Sequence, residues 1–466
     1  MAIALKKAGI DDFVVLERAG EIGGTWRDND YPGLTCDIPS QLYSYSFRSW
    51  RWSRRFPARD EIMAYLRSLV AEHRLAPHLR FRTEIADAAW DDRAATWNLT
   101  LADGGTVAAS ALVCATGQLN APALPGIPGR DAFAGPSWHS ARWEHGTDLT
   151  GKNVAVIGTG ASAVQFVPQI ARTAARVDVY QRSAPYVLRK GDRPYRQAEL
   201  AVYDRIPLVR KADRLRIFLY GELLTTGFFF SPARPWAEIM WRRYLHATIA
   251  DPELRAKCVP GYVIGCKRVT FSDDWYPALR RPNVNLVTQA AERIIPTGVV
   301  TPDGTARPAD VIIYATGFRA TEFLTPMTVT GAGGRSLREA WRDGAEAYLG
   351  ITVSGFPNFF LLYGPGTNLG GNSIIYMLES QVRYVLGALR TLADRQAAWM
   401  DVRPDAQRTF TDWFQNASRR TAWVSGCHSW YTTSGRNTNN WPSYTFRYRQ
   451  RTRRFDPAAY RFAPSR

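Results

Sequence analysis

The sequence predicts an α/β fold in which one Rossmann-like unit is inserted into another. An apolar, strand-like run at residues 154–157 leads into a glycine-rich turn at residues 158–163, which is the order that opens a Rossmann unit. A second helix–strand pattern near the N-terminus closes with the carboxylate of Glu17. Two further strand-like runs end in the same Ala-Thr-Gly turn, at residues 115–117 and 315–317. With 466 residues, the chain is long enough for two or three domains with cores of their own.

The composition is that of an ordinary globular protein, with 45% hydrophobic and 22% charged residues. No run reaches the roughly 18 to 20 apolar residues that a membrane span needs. The N-terminus has no signal-peptide core, so we expect a cytoplasmic protein. The cysteines are odd in number and scattered, with no C-x-x-C pair, which argues against a disulfide framework, a zinc site and a flavin-linked disulfide reductase. They are Cys36, Cys114, Cys258, Cys266 and Cys427.

The net charge of +17 is compatible with nucleic acid, an anionic membrane surface or anionic cofactors as partners. The arginines are spread along the chain, often opposite acids, and no nucleic-acid-binding motif accompanies them. We therefore expect a generally basic surface and no nucleic-acid partner.

The first Rossmann-like unit lacks the opening part of its expected sequence pattern. Residues 2–8 read as an amphipathic helix and residues 13–16 as a buried strand that Glu17 closes. In a dinucleotide-binding unit such an acid holds the ribose hydroxyls about 20 residues after the glycine loop, and that count leads to a point before Met1. We therefore expect the first strand and its glycine loop to lie upstream, the functional protein to be longer, and the chain as written to hold its dinucleotide poorly.

The second glycine loop is intact. Gly158 permits the tight turn, Gly160 lets the backbone approach a pyrophosphate, and Ala163 is small enough for close packing of helix on strand. The next strand, residues 177–180, ends in Gln181-Arg182 where an NAD site carries an acid. Because an arginine suits the 2′-phosphate, we predict NADPH rather than NADH. The predicted contacts are Gly158, Thr159, Gly160, Ala161, Ser162, Ala163 and Arg182.

A fingerprint-like run precedes this loop: Phe133-x-Gly135-x-x-x-His139-x-x-x-Trp143. Together with the loop it resembles the fingerprint of the type I Baeyer–Villiger monooxygenases, a branch of the flavin-containing monooxygenases, although Glu144 stands where that family commonly has Pro or Asp. The resemblance covers nearly the whole chain and implies a flavoprotein with two dinucleotide-binding domains, FAD and NADPH. It also implies that O2, through a C4a-peroxyflavin, converts a ketone to an ester or lactone. Oxygenation at nitrogen or sulfur, or a truncated NADP-binding remnant without catalysis, are the alternatives.

The same resemblance implies an FAD-contacting stretch near the start of the chain, where glycines let the backbone approach the cofactor. A later segment, residues 363–368, precedes a predicted helix at residues 374–392 whose N-terminus would present amides to the flavin. The closing segment, with Cys427-His428 and Trp441-Pro442, also looks like that of the family. The implied FAD contacts are Glu17, Gly24, Thr25, Trp26, Cys36, Asp37, Tyr43, Ile85 and Asn368.

The implied catalytic group is an arginine. Gly265-Cys266-Lys267-Arg268 resembles the family's G-x-K-R segment, with Arg268 as the catalytic residue and Lys267 near the NADPH phosphate. A guanidinium cannot deprotonate, so it stabilises an anionic peroxide and the oxyanion that follows. Asp37 would orient Arg268, and His139 would couple domain motion to reduction. A surface Lys-Arg pair and a structural histidine are the simpler readings of the same residues.

The middle of the chain is helical in pattern, basic and aromatic, with Phe218-Leu219-Tyr220 near Phe228-Phe229-Phe230. It fits a cap over a substrate tunnel, a membrane-surface patch that draws lipophilic ketones, or a buried helical subdomain. The ketone and the oligomeric state stay open. The predicted domains are an FAD-binding part at residues 1–146, an NADP-binding domain at 147–317 with a helical insertion at about 190–259, and a second FAD-binding part at 318–466.

Overall fold

A computed structural model describes residues 1–229, 231–426 and 429–464 of the chain. Of the residues singled out above, Phe230, Cys427 and His428 lie outside this described part, as do the side chains of Phe228 and Phe229.

Helices are concentrated in the insertion in the middle of the chain and in the C-terminal third, which includes the long helix after residue 373. None of the described helices is long and apolar enough to cross a membrane. The predicted helix at residues 374–392 is present and ends two residues later than predicted. The α-helices are α1 Ala2–Lys7, α2 Thr25–Asp28, α3 Arg59–Glu72, α4 Ala161–Ile170, α5 Gln197–Arg205, α6 Pro207–Phe229, α7 Arg234–Thr248, α8 Pro252–Lys257, α9 Trp275–Leu279, α10 Leu337–Ala340, α11 Ile374–Asp394, α12 Pro404–Ser418 and α13 Thr445–Arg451.

The strands are short and form several small sheets around one larger parallel sheet. They are β1 Val15–Leu16, β2 Leu79–Arg80, β3 Ile85–Asp91, β4 Thr96–Leu101, β5 Thr106–Ala109, β6 Leu112–Cys114, β7 Ser137–His139, β8 Asn153–Ile157, β9 Arg176–Tyr180, β10 Val187–Leu188, β11 Thr270–Phe271, β12 Val284–Val287, β13 Arg293–Ile295, β14 Gly298–Val300, β15 Ala306–Pro308, β16 Val311–Tyr314, β17 Thr328–Thr330, β18 Phe359–Leu361, β19 Ala397–Val402, β20 Thr432–Thr433, β21 Arg436–Asn437 and β22 Tyr460–Pro464.

The larger sheet is the Rossmann-like core of the inserted unit. Its strands run in the order β12-β9-β8-β16-β7, and every neighbouring pair is parallel. β8 and β16 are apolar and buried, as strands covered on both faces must be. Helix α4 follows β8 directly and packs its buried face on this core. β7 belongs to this sheet although it precedes residue 147, and the predicted domain bounds stay a prediction.

The other sheets are smaller. β1 pairs with β2, and β6 pairs with β18, both in parallel, while β17, β3, β4 and β5 form a four-stranded sheet. The strand predicted as buried at residues 13–16 is shorter in the structure, and both Val14 and Val15 are exposed. The reason is local: among the described strands, β1 has β2 as its hydrogen-bonded neighbour on one edge alone.

The cysteines differ in state. Cys36, Cys114 and Cys258 are buried free thiols, and burial raises the pKa of each thiol, which keeps them protonated and unreactive. Cys266 is disulfide-bonded. The sequence argument was made against a disulfide framework, and the bond at Cys266 is a pairing that the spacing of the cysteines did not indicate.

Candidate functional site

The predicted glycine loop lies between β8 and α4 at the carboxyl edge of the parallel sheet. Gly158 has a φ of +110°, and a Cβ there would stand 2.5 Å from the carbonyl oxygen of Ala315. Only glycine allows this approach, because φ is positive and no side-chain atom fits. Gly160 is the N-cap residue of α4 and provides no side-chain cap, so the first amides of the helix are free to bind an anion. Ala163 is fully buried, as close helix–strand packing requires.

Two cations stand at the next strand end. Lys267 Nζ donates to Ser183 Oγ at 2.8 Å, and Arg182 follows β9 by two residues. Burial and the charge of Arg182 lower the pKa of Lys267. Among the described residues no ion pair involves Lys267 or Arg182. A phosphate dianion at this place would neutralise both cations.

Arg268 and Asp37 form the central pair of the site. Arg268 Nη2 donates to Asp37 Oδ2 across a separation of 231 residues in the chain. Burial tends to raise the pKa of Asp37, but the charges of Arg268 and Lys190 hold it below its usual range. Asp37 in turn raises the pKa of Arg268. Both groups are therefore charged, and with 31% and 24% of the two side chains exposed the pair is reachable from outside.

A polar network containing the predicted Asn368 lies near this pair. Tyr363 Oη donates to Asn368 Oδ1 at 2.7 Å, and Asn368 Nδ2 donates to Asn440 Oδ1 at 2.6 Å. Gln118, which follows the first Ala-Thr-Gly turn, donates to the Tyr363 carbonyl at 3.2 Å. Gln118 Oε1 and Asn440 Nδ2 are buried and have no partner among the described residues. The network thus has spare capacity for a polar ligand, and the charge of Arg268 reaches Tyr363.

The predicted FAD stretch is held together by two contacts. Trp26 Nε1 donates to Tyr43 Oη at 2.8 Å, which brings these two predicted residues together. Gly24 caps the short helix α2 with a φ of +50°, and Thr25 is its first residue. Glu17 Oε1 accepts from the amide of Ala19 at 2.8 Å and from a guanidinium at 3.2 Å.

That guanidinium belongs to Arg27, so the acid predicted to hold a ribose is already engaged by the protein. Cys36 is buried directly before Asp37, and its Sγ accepts from the Ile38 amide at 3.4 Å. Ile85 begins β3 and packs against the same hydrophobic core as Leu16.

His139 lies on β7, beside the turn that follows β16. The amide of Ser140 donates to the Tyr314 carbonyl at 2.9 Å, and the His139 ring meets the Phe318 ring edge-on at 5.7 Å. Burial lowers the pKa of His139, which keeps the imidazole neutral at neutral pH. Gly135 is explained by packing, because a Cβ there would stand 2.5 Å from the Asp310 carbonyl oxygen. His139 therefore lies against the second Ala-Thr-Gly turn, and the contacts described above for it do not include Arg268 or Asp37.

Known proteins are similar to this chain over nearly its whole length. A family model described as pyridine nucleotide-disulphide oxidoreductase matches residues 1–198. A Baeyer–Villiger monooxygenase of Pseudomonas aeruginosa is 43% identical over 465 residues, 99% of this chain and 88% of the relative. One of Streptomyces coelicolor is 44% identical over 466 residues, 98% of this chain and 89% of the relative. The chain belongs to the Baeyer–Villiger monooxygenase family.

Solved structures of such monooxygenases share the fold. A steroid monooxygenase bound to NADP superposes with a TM-score of 0.89 at 29% identity, covering 100% of this chain and 97% of that one. OTEMO in complex with FAD and NADP gives 0.89 at 26% identity, with coverages of 99% and 96%. The predicted family, fold class and enzyme class are confirmed, and the cofactor prediction agrees with the FAD and NADP named in these complexes.

In this monooxygenase, segment 31–37 is fastened to the inserted unit. Gln165 of α4 donates through Nε2 to the Thr35 carbonyl at 2.9 Å, and its Oε1 accepts from the Thr35 amide at 3.4 Å. The Tyr31 ring meets Phe166 edge-on at 6.0 Å, and Phe166 packs on the fingerprint's Trp143 at 5.2 Å. The segment that leads to Asp37 is therefore held at Tyr31 and Thr35 by α4, the helix of the glycine loop.

Lys190 is the site residue that sequence reasoning missed. Its Nζ donates to Thr35 Oγ1 and lies 5.1 Å from the centre of the Phe56 ring. Burial lowers the pKa of Lys190, and the charge of Asp37 partly opposes that effect. The sequence offers little to find it: Lys190 follows β10 at the start of the helical insertion, and long-range folding alone brings it to Thr35 and the neighbourhood of Asp37.

Proposed function

We propose that this chain is an FAD- and NADPH-dependent monooxygenase that uses O2 to convert a ketone to an ester or lactone. The observation that carries the proposal is the Arg268–Asp37 ion pair, a charged and partly exposed pair beside a polar network with unfilled hydrogen-bonding capacity. A cytoplasmic location fits the need for NADPH.

FAD would lie between Trp26 and the network of Tyr363 and Asn368. The fit rests on the buried, unpartnered amide atoms of Gln118 and Asn440 in that network, which a flavin's carbonyl and N–H groups would satisfy. When bound and reduced, the flavin supplies the activated oxygen of the reaction. The chain's own groups bind it, orient it and exclude water around it.

Arg268 would act at the reacting oxygen. A guanidinium carries five N–H donors, and the Nη2 bond to Asp37 leaves others for a substrate oxygen that becomes negative. Such a donor, placed before the reaction begins, stabilises the transition state more than the ketone itself. Asp37 positions the guanidinium and balances its charge.

NADPH would bind at the glycine loop of residues 158–163. The free amides of α4 suit the pyrophosphate, while Arg182 and Lys267 suit the 2′-phosphate. His139 is assigned to coupling between the units rather than to proton transfer, because its neutral ring packs on Phe318.

The first test is the visible spectrum of the purified chain supplied with FAD, before and after anaerobic NADPH. We expect a bound flavin that bleaches with NADPH and recovers in air, with an ester or lactone formed when a cyclic ketone is added. A Gly158→Ala variant, which blocks the NADPH loop, is the matched control and should keep the flavin yet fail to bleach. A bleached flavin that turns over sulfides but no ketone would overturn the ketone assignment.

A further inference from the structure

The outward side of α6 is apolar where a surface helix is normally polar. Leu208, Leu215, Leu219 and Leu223 recur at intervals of seven and four, which places them on one face of the helix. Their exposed fractions run from 53% for Leu223 to 73% for Leu208. We call these four leucines the α6 outer face. Contiguous exposed apolar surface of this kind marks an interaction site.

The inner side of α6, where Ile217 and Leu224 lie, fixes the helix to the body of the protein together with Glu222, which stands at the edge of the outer face. Ile217 and Leu224 are buried. Glu222 Oε1 accepts from Asn372 Nδ2 at 2.6 Å, and Glu222 Oε2 accepts from the Thr445 amide at 3.0 Å. Because this buried polar contact anchors the helix, α6 cannot turn its leucines inward without breaking it. The outer face stays directed at the solvent.

Apolar and basic residues of the next helix continue this surface. α7 packs beside α6, since a Cβ at Gly227 would stand 3.4 Å from the Trp236 ring. Trp236 and Ile239 of α7 are both exposed. No ion pair of the described residues involves the basic residues that flank these apolar groups. The basic residues are Lys211, Arg242 and Arg243.

We propose that the α6 outer face docks on the surface of an anionic lipid bilayer. Leucines and a tryptophan on a seated helix, flanked by unpaired Lys and Arg, are the features of helices that lie in a membrane interface. The flanking cations complement anionic headgroups. A second copy of the chain is the weaker candidate, because two molecules of net charge +17 repel each other. The proposal does not depend on the proposed reaction.

The test is cosedimentation of the full chain with two kinds of vesicle. One kind contains phosphatidylcholine alone, and the other an equal mixture of phosphatidylcholine and phosphatidylglycerol. We expect the chain to sediment with the mixed vesicles and less with the neutral ones. Added salt should weaken binding to the mixed vesicles, since it screens the headgroup charge.

Two variants separate the apolar and basic contributions. Leu215→Gln combined with Leu219→Gln should weaken binding by roughly a hundredfold or more, because two apolar contacts are lost and no charge is added. Lys211→Glu should weaken binding to the mixed vesicles alone. Leu124→Gln, at a leucine that is 48% exposed outside α6 and α7, is the matched control and should bind as the unchanged chain does.

Three results would overturn the proposal. The unchanged chain could stay in the supernatant with both vesicle types, or the double leucine variant could bind as well as the control. In sedimentation velocity without lipid, a dimer that the double variant dissociates would identify a second copy as the occupant. Circular dichroism should show all variants folded, and if the double variant is not, the Lys211→Glu result decides.

Discussion

Replacing Arg268 by Ala removes the donor on which the proposed reaction depends. Loss of one preorganised donor to a developing oxyanion costs about 2.7–4 kcal/mol, a rate loss of about a hundredfold to a thousandfold. In this structure 31% of the Arg268 side chain is exposed, so water partly replaces the lost donor. We therefore expect the lower end, a loss of about a hundredfold in ketone oxygenation. Arg268→Lys keeps the charge without the planar fork, so its rate of ketone oxygenation should fall between those of the unchanged protein and Arg268→Ala.

The assay has two parts, because Arg268 is assigned to oxygenation and not to reduction. Stopped-flow absorbance under anaerobic conditions measures flavin reduction by NADPH, which should stay within a few-fold of the unchanged protein. Product analysis in air measures ester or lactone, which should nearly vanish. Flavin content is measured first, so that a variant that has lost FAD is not mistaken for an inactive one. Ester formation at an undiminished rate would remove Arg268 from the reaction.

Three further predictions concern the cations and the glycine loop. Lys190→Met removes one of the two charges that hold the pKa of Asp37 down, so that pKa should rise and the acidic limb of the pH–rate profile should move to higher pH. Lys190→Arg should return the limb to its original position, whereas a limb that does not move in Lys190→Met would exclude Lys190 from the site. Arg182→Ala and Lys267→Ala should each raise KM for NADPH by roughly tenfold, about 1.4 kcal/mol, and leave KM for NADH unchanged; equal changes for both coenzymes would refute the phosphate assignment. Gly158→Ala forces a Cβ to 2.5 Å from the Ala315 carbonyl oxygen at a φ of +110°. Strain of about 1–3 kcal/mol should lower the thermal midpoint of unfolding and abolish flavin reduction by NADPH, and a variant whose flavin is reduced normally would contradict the close approach of Gly158 to Ala315.

The inserted unit could be predicted from local pattern because its elements follow each other directly. The apolar run before Gly158 became β8, the helix after it became α4, and the run before residue 315 became β16. The prediction failed for the strand near the N-terminus, where burial depends on which other strands pair with it. Val14 was expected to be buried and is exposed, because burial of a strand is decided by what pairs with its edges.

The site was predicted in its parts and not in its assembly. Resemblance named Arg268 and Asp37 separately, but 231 residues lie between them and no local pattern states that they touch. The same limit hid Lys190, whose partner Thr35 is 155 residues away. The disulfide at Cys266 was missed for the same reason, since spacing along the chain does not report proximity in space.

Lys190 also bears on how Asp37 holds Arg268 during the reaction. The charge of Lys190 acts on the same carboxylate and helps to hold its pKa down. Asp37 therefore stays ionised and keeps accepting the Nη2 bond, while the other donors of Arg268 meet the substrate oxygen. We infer that Lys190 keeps Asp37 charged, and that segment 31–37, fastened to α4 through Gln165, keeps it in place.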